Sequence, residues 1–166
     1  MLAYDCAYTG HEQANYAFNE GGSLMRLENK VAIITGAASG FGAGTAQLFA
    51  AEGAAVVVAD ISDEAGESIV DSINTSGGNA VYAHADVTSR HDTRNMIDAA
   101  EKLGGRLDIL INNAGYSHSN KEFSTVTDQE FDRVYDVNVK AVFIAIQEAL
   151  PLFRRNGGGC IINTSS

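Results

Sequence analysis

The sequence predicts an α/β domain built on a parallel sheet wound on both faces, and three observations carry that reading. Five short, β-branched apolar runs recur along the 166 residues with little polar alternation, the pattern of strands buried on both sides. Segments of helical length separate them, and alternating strands and helices imply right-handed crossovers and a parallel sheet. Glycines and short polar caps fall at the joints between the two kinds of segment, where helices start and stop.

Taken in order, residues 31–35 (VAIIT) read as the first strand, and they run directly into a glycine-rich turn that opens a helix over 40–52. Gly53 stands where that helix should stop. The second strand is 55–60 (AVVVAD). Ser62 followed by Asp63 and Glu64 places acids in the first turn of a helix over 63–75, where the helix dipole favours them. Gly77 and Gly78 end it, and 80–86 (AVYAHAD) is the third strand. Ser89 and Asp92 have the spacing of a reciprocal N-cap for a helix over 89–103, closed by Gly104 and Gly105. The fourth strand is 107–113 (LDILINN). Thr127 and Glu130 repeat the cap spacing ahead of one long helix over 128–153. Pro151 sits near its end, where a missing N–H costs little if the helix bends or stops there. Residues 160–164 (CIINT) form the fifth strand, after which the sheet is expected to break off.

Residues 1–24 show neither periodicity and close on Gly21, Gly22 and Ser23. They read as an irregular extension and linker ahead of a domain over 25–166. Their Tyr4, Tyr8, Tyr16 and Phe18 leave docking on a partner surface as the alternative. The chain length suits one domain rather than two.

A formal net charge of −10 repels phosphate backbones and anionic lipid, so neither nucleic acid nor a membrane surface is expected as a partner. Arg154 and Arg155 are the only adjacent basic pair. No apolar run approaches the ~20 residues of a membrane helix, and the start lacks the basic and apolar regions of a signal peptide. Cys6 and Cys160 have no ligand or redox spacing, which suits the cytoplasm. His84, His91 and His118 have no ligand spacing either, and no metal is expected.

The turn after the first strand carries the chemistry. Thr35-Gly36-Ala37-Ala38-Ser39-Gly40-Phe41-Gly42 joins strand to helix, so a pyrophosphate can approach backbone without Cβ atoms and meet the N–H groups of a helix start. A glycine-rich turn that merely connects the two elements would read the same way in isolation. The loop lacks the Lys-Ser/Thr of a nucleoside-triphosphate site, which argues against a kinase or ATPase. Asp60 ends the second strand, where an acid accepts hydrogen bonds from the adenosine ribose. Its charge would repel a 2′-phosphate, and neither Ser39 nor Ile61 supplies a cation to reverse that. The expected ligand is therefore NAD rather than NADP, although an acid that only caps a strand end remains the alternative.

Thr35–Gly42, Asp60, Asp86-Val87, Asn112-Asn113-Ala114-Gly115, Asn138 and the terminal run from Ile161 to Ser166 occur in one order. Together they resemble the short-chain dehydrogenase/reductase family, with the glycine spacing of its single-domain branch, over residues 25–166. The resemblance implies a Rossmann-type doubly wound sheet and hydride transfer between nicotinamide and an alcohol or ketone. It implies that Gly36, Ser39, Gly40, Phe41 and Gly42 hold the pyrophosphate and pack the first helix on the sheet. Asp60 and Ile61 would face the adenosine ribose, and Asp86 and Val87 the adenine. Asn113, Ala114 and Gly115 would line the cofactor beyond the fourth strand. Asn138, in an otherwise mostly apolar helix, would hold a water in a proton relay; a satisfied core amide is the alternative. Ser166 aligns with the family's catalytic serine, with Ser165 beside it.

One departure is large. The family's catalytic Tyr-x-x-x-Lys is expected beyond Ser166, and no tyrosine here has a lysine four positions on: Tyr116 is followed by Asn120 and Tyr135 by Val139. Without that pair no general acid serves the carbonyl, so this chain alone is expected to be inactive. A non-catalytic dinucleotide-binding or interaction module is the second reading. A third, an epimerase or dehydratase on a related fold, fits the glycine spacing poorly. The resemblance implies a homo-oligomer for the full-length form, and the polar loop 116–126 favours a hydroxylated substrate.

Overall fold

In the computed structural model, which describes residues 25–165, five consecutive buried residues make β1 (Val31–Thr35) the central strand of a parallel sheet. Around it the strand order is β3-β2-β1-β4-β5, with β2 at Ala55–Asp60, β3 at Asn79–His84, β4 at Ile109–Asn112 and β5 at Cys160–Asn163. Every neighbouring pair is parallel, so each connection is a crossover through a helix. The Rossmann-type fold class expected from the sequence is the fold observed.

Period-two geometry sends alternate side chains of a strand to opposite faces, and both faces here are covered. Ala32, Ile34, Val56 and Val58 pack under α1 (Gly40–Ala51) and α2 (Asp63–Thr75), against Ala46, Ala50 and Ile73. Val31, Ile33, Val57 and Leu110 face Met96 of α3 (Arg90–Gly104) and Ala149, Leu152 and Phe153 from the last helix. Small residues on α1 let it lie close to the sheet, and that proximity brings its N-terminus to the end of β1.

Several local expectations change. The helix expected over 128–153 is not continuous: α4 (Asp128–Tyr135) passes through a π-turn at Asp136–Lys140 before α5 (Ala141–Arg155) resumes. Pro151 lies inside α5 and does not end it. Thr127 and Glu130 form the reciprocal cap. At Ser89 only half of one forms: its hydroxyl accepts from Asp92 N at 3.3 Å, whereas the Asp92 carboxylate turns to Asp86 N at 3.2 Å. Ser62 makes no side-chain cap, and its N–H instead donates to Asp60 Oδ1 at 3.0 Å. The third, fourth and fifth strands are each shorter than their apolar runs, and the trimmed ends, Ala85-Asp86, Leu107-Asp108, Asn113 and Thr164, become loop. Gly105 closes α3 with φ +72, which a side chain would disfavour.

The extension at 1–24 and the residue Ser166 lie outside the described residues. Among the described residues no helix is long and apolar enough to cross a membrane, and no group of three or more His, Cys, Asp or Glu side chains could hold a metal.

Candidate cofactor cleft

β1 is followed in sequence by β2 on one side of it and, later, by β4 on the other. Loops leaving the two directions part there and open a crevice at the strand ends. A cleft of about 840 Å³ occupies that position, within the range of small-molecule sites. It gathers Gly36, Ser39, Gly40, Phe41, Asp60, Ile61, Asp86, Val87, Asn113, Ala114 and Gly115. Eleven of the residues singled out in the sequence thus line one cavity, although they come from four separate strand ends and the segments that follow them.

The floor is a tight junction between the turns after β1 and β4. Gly36 has φ +66, and a Cβ there would lie 2.8 Å from Ala114 Cα, so only glycine permits the approach. Gly42 does not line the cleft. It is buried in α1 and faces the Gly36 carbonyl and the Asn113 amide, which locks the helix start onto the turn. Thr35, whose role sequence reasoning missed, ties the two turns together. Its buried hydroxyl accepts from Asn113 N and Ala114 N, both at 3.0 Å, and reaches Ile111 O at 3.3 Å. Asn113 answers by donating from Nδ2 to Thr35 O at 3.0 Å and Gly36 O at 3.3 Å. Asn113 is thus a structural clamp as well as a lining residue.

Above that floor, Ser39 is the N-cap of α1, so the orphan N–H groups of the first helical turn lie at the cleft with the positive end of the helix dipole. Space over Gly40 is open: nothing lies within 4 Å of where its Cβ would be. Phe41 and Ile61 stand at the rim, 91% and 62% exposed. Asp60 holds the two sides in register. Its Oδ2 accepts from Ala38 N in the glycine turn at 2.9 Å, and its Oδ1 accepts from Ser62 N. Asp86 closes its own turn, accepting from Thr88 N at 2.9 Å and Thr88 Oγ1 at 2.7 Å.

The far wall comes from α4, the start of the π-turn after it and the loop before it. Tyr116, Gln129, Asp132, Arg133, Asp136 and Val137 line it, and the Arg133 guanidinium lies 4.5 Å from the centre of the Tyr116 ring. Glu130 anchors this wall by accepting from Lys121 Nζ at 2.6 and 2.7 Å and from Thr127 N at 2.9 Å. The lysine contact, then the Thr127 bonds, lower its carboxyl pKa to about 2. Asn138 is not a buried core amide: it is exposed within the π-turn. Its Oδ1 accepts from Tyr116 N at 2.9 Å and its Nδ2 donates to Tyr116 O at 2.8 Å, as a strand partner would. It therefore sits beside the cleft and fixes the loop that leaves Gly115.

Residues 30–166 match the family described as short chain dehydrogenase. The chain is 45% identical over 142 residues to 4-formylbenzenesulfonate dehydrogenase of Comamonas testosteroni, covering 86% of this chain and 56% of that one. It is 44% identical over 144 residues to secoisolariciresinol dehydrogenase of Forsythia intermedia, covering 85% and 50%. Among solved structures it resembles a hydroxysteroid dehydrogenase from Escherichia coli with a TM-score of 0.79 and 40% identity, covering 84% of this chain and 58% of that one. It also resembles a 7α-hydroxysteroid dehydrogenase complexed with NADH and 7-oxo glycochenodeoxycholic acid, with a TM-score of 0.81 and 40% identity, covering 86% and 55%. The chain spans about half the length of these relatives. With residues 30–166 matching that family and the fold matching those dehydrogenases over more than four-fifths of the chain, the chain belongs to the short-chain dehydrogenase/reductase family.

Proposed function

We propose that this chain is the cofactor-binding portion of an NAD-dependent oxidoreductase acting on an alcohol or ketone. One observation carries the cofactor choice: Asp60 lines the cleft beside the glycine turn, and Ser39 and Ile61, which flank it there, bring no cation. A 2′-phosphate at the ribose would meet an uncompensated carboxylate. The residues present suit a dinucleotide, because the open space over Gly40 leaves the N–H groups at the start of α1 approachable. In this reading Gly36, Ser39, Gly40 and Phe41 hold the pyrophosphate while Gly42 keeps α1 pressed on the turn. Asp60 and Ile61 take the adenosine ribose, Asp86 and Val87 the adenine, and Asn113, Ala114 and Gly115 the central stretch. Bound nicotinamide supplies the hydride chemistry, and the protein supplies position and a proton path. Asn138 orders the Tyr116 loop and holds a water in that path, and Ser166 bonds the substrate oxygen. A homo-oligomer acting in the cytoplasm completes the reading; the family's general habit supports the first, and two cysteines far apart in sequence the second.

The test is titration of NADH and NADPH against the protein and against Asp60→Ala. NADH should bind about tenfold tighter or better, roughly 1.4 kcal/mol, and the variant should bring the two towards parity. Equal affinities in the unmodified protein overturn the cofactor reading. A second reading, a binding module without turnover, rests on the absence of any Tyr followed four positions later by Lys in these residues. Incubation with NAD and a panel of alcohols and sugars, following NADH absorbance, separates the two. This chain alone should bind and not turn over, and sustained turnover would refute that assignment.

A further inference from the structure

The turn that presents Asp60 and Ile61 to the cleft is anchored from outside it. Tyr82 lies on β3, and its ring packs on Gly66 of α2 so closely that any side chain at Gly66 would overlap ring carbons. That fit fixes the height of the phenol. Its hydroxyl lies 2.7 Å from the main-chain oxygen of Asp60 and 2.8 Å from Oδ1 of Asp63, the first residue of α2. Asp63 Oδ1 in turn lies 2.6 Å from His84 Nδ1. The Asp60 oxygen also accepts from Ala85 N at 2.9 Å, prolonging the β2–β3 pairing. Asp60 is therefore held on both sides, its carboxylate by Ala38 N and Ser62 N and its carbonyl by Ala85 N and the Tyr82 hydroxyl, whose single hydrogen is shared with Asp63. Tyr82, Asp63 and His84 do not line the cleft.

Burial and the neighbouring carboxylates push the Tyr82 phenol above its ordinary range, so it stays a donor. The His84 and Tyr82 contacts hold the Asp63 carboxyl below its usual value, so it stays an acceptor. The β2–α2 turn thus hangs from a phenol–carboxylate pair that ordinary pH does not disrupt.

We infer that Tyr82 and Asp63 are positioning residues that aim the Asp60 carboxylate and so set the preference between NAD and NADP. This rests on the reading that the adenosine ribose lies at Asp60. Asp60 discriminates only if its carboxylate stays where the 2′ position falls; Ala85 N pins the end of β2 to β3, and the turn from there into α2 must be held as well. The hydroxyl of Tyr82 bridges Asp60 and Asp63 across that turn without touching the ligand.

Dissociation constants for NADH and NADPH should be measured for the unmodified protein, Tyr82→Phe, Asp63→Asn and Asp60→Ala. Tyr82→Phe keeps the ring on Gly66 and removes only the hydroxyl. It should weaken NADH by about three- to tenfold while leaving NADPH unchanged or tighter, narrowing the ratio. Asp63→Asn should shift the ratio in the same direction, and it carries the test alone if Tyr82→Phe fails to fold. General loosening would weaken both cofactors equally, and that result overturns the inference. A ratio that collapses in Asp60→Ala but holds in the other two variants overturns it while sparing the ribose reading. A ratio unmoved in Asp60→Ala removes the ribose reading, and the inference falls with it.

Discussion

Gly42 and Gly44 lie two positions apart in α1, yet replacing each with alanine should move stability in opposite directions. At Gly42 the new Cβ would overlap the Gly36 carbonyl and come within 2.7 Å of Asn113 Nδ2. Neither neighbour is a flexible tip. The first is backbone of the cleft floor, and the second is held by its bonds to Thr35 O and Gly36 O. Forcing a methyl group into such a site costs about 1–3 kcal/mol, and loosening one Asn113 bond adds about 1 kcal/mol. Alanine returns up to ~1 kcal/mol of helix propensity, leaving a net loss of roughly 2 kcal/mol. At Gly44 nothing lies within 4 Å, so only the propensity gain of about 1 kcal/mol remains. At roughly 3 °C per kcal/mol for a domain of this size, the two variants should melt on the order of 10 °C apart. Thermal denaturation followed by circular dichroism reads that difference, and NADH titration should show weaker binding for Gly42→Ala alone. Melting temperatures that agree to within a degree or two would refute the contact argument.

Other expectations follow from single interactions. Asp108 is buried, accepts from Val31 N at 2.9 Å, and pairs with Arg106 at 2.6 Å. Asp108→Ala strands a buried N–H at the start of the central strand and should cost about 2 kcal/mol in a urea melt; a loss under about 0.5 kcal/mol would show that another acceptor takes over. Glu130 has its folded pKa lowered from 4.5 to about 2. Its contribution is therefore complete above pH 4.5 and lost as pH falls towards about 2. Glu130→Gln should flatten that acid limb of the stability profile, and an unchanged limb would mean Lys121 and Thr127 do not hold the carboxylate in solution. β5 is an edge of the described sheet, with Ile162 43% exposed, and Phe143 and Val139 are exposed on the neighbouring helical segments. Unpaired edge backbone beside apolar side chains templates another strand, so this chain should self-associate despite its charge of −10. Light scattering that reports a stable monomer at tens of micromolar would count against it.

What could be read in the sequence was whatever depends on neighbours along the chain. The run VAIIT is apolar at five successive positions because β1 is covered on both faces, and Thr127 with Glu130 announces a cap whose two bonds span a single turn. Asp60 was legible as an acid at a strand end. Its bond to Ala38 N was not, because that depends on how near the glycine turn comes across space. The π-turn at Asp136–Lys140 escaped for a different reason. A π-turn widens the backbone by one residue without altering which residue types are apolar, so the pattern through 128–153 still reads as continuous helix. The one local clue was polar Asn138 in an apolar stretch, and it suggested a buried amide. Its actual partners are the N–H and C=O of Tyr116, a loop residue that no helical periodicity addresses. π-turns recur at functional sites, and this one turns a side-chain amide towards the loop that bounds the cleft. Tyr82 makes the same point from the sheet. In sequence it is one more strand aromatic, and only the absence of a side chain at Gly66 lets its ring seat and its hydroxyl reach Asp60. Residues that build the cleft are legible when their partner is a ligand with a known chemical demand. Residues that aim them answer to partners elsewhere in the fold, and those pairings exist only once the sheet has formed.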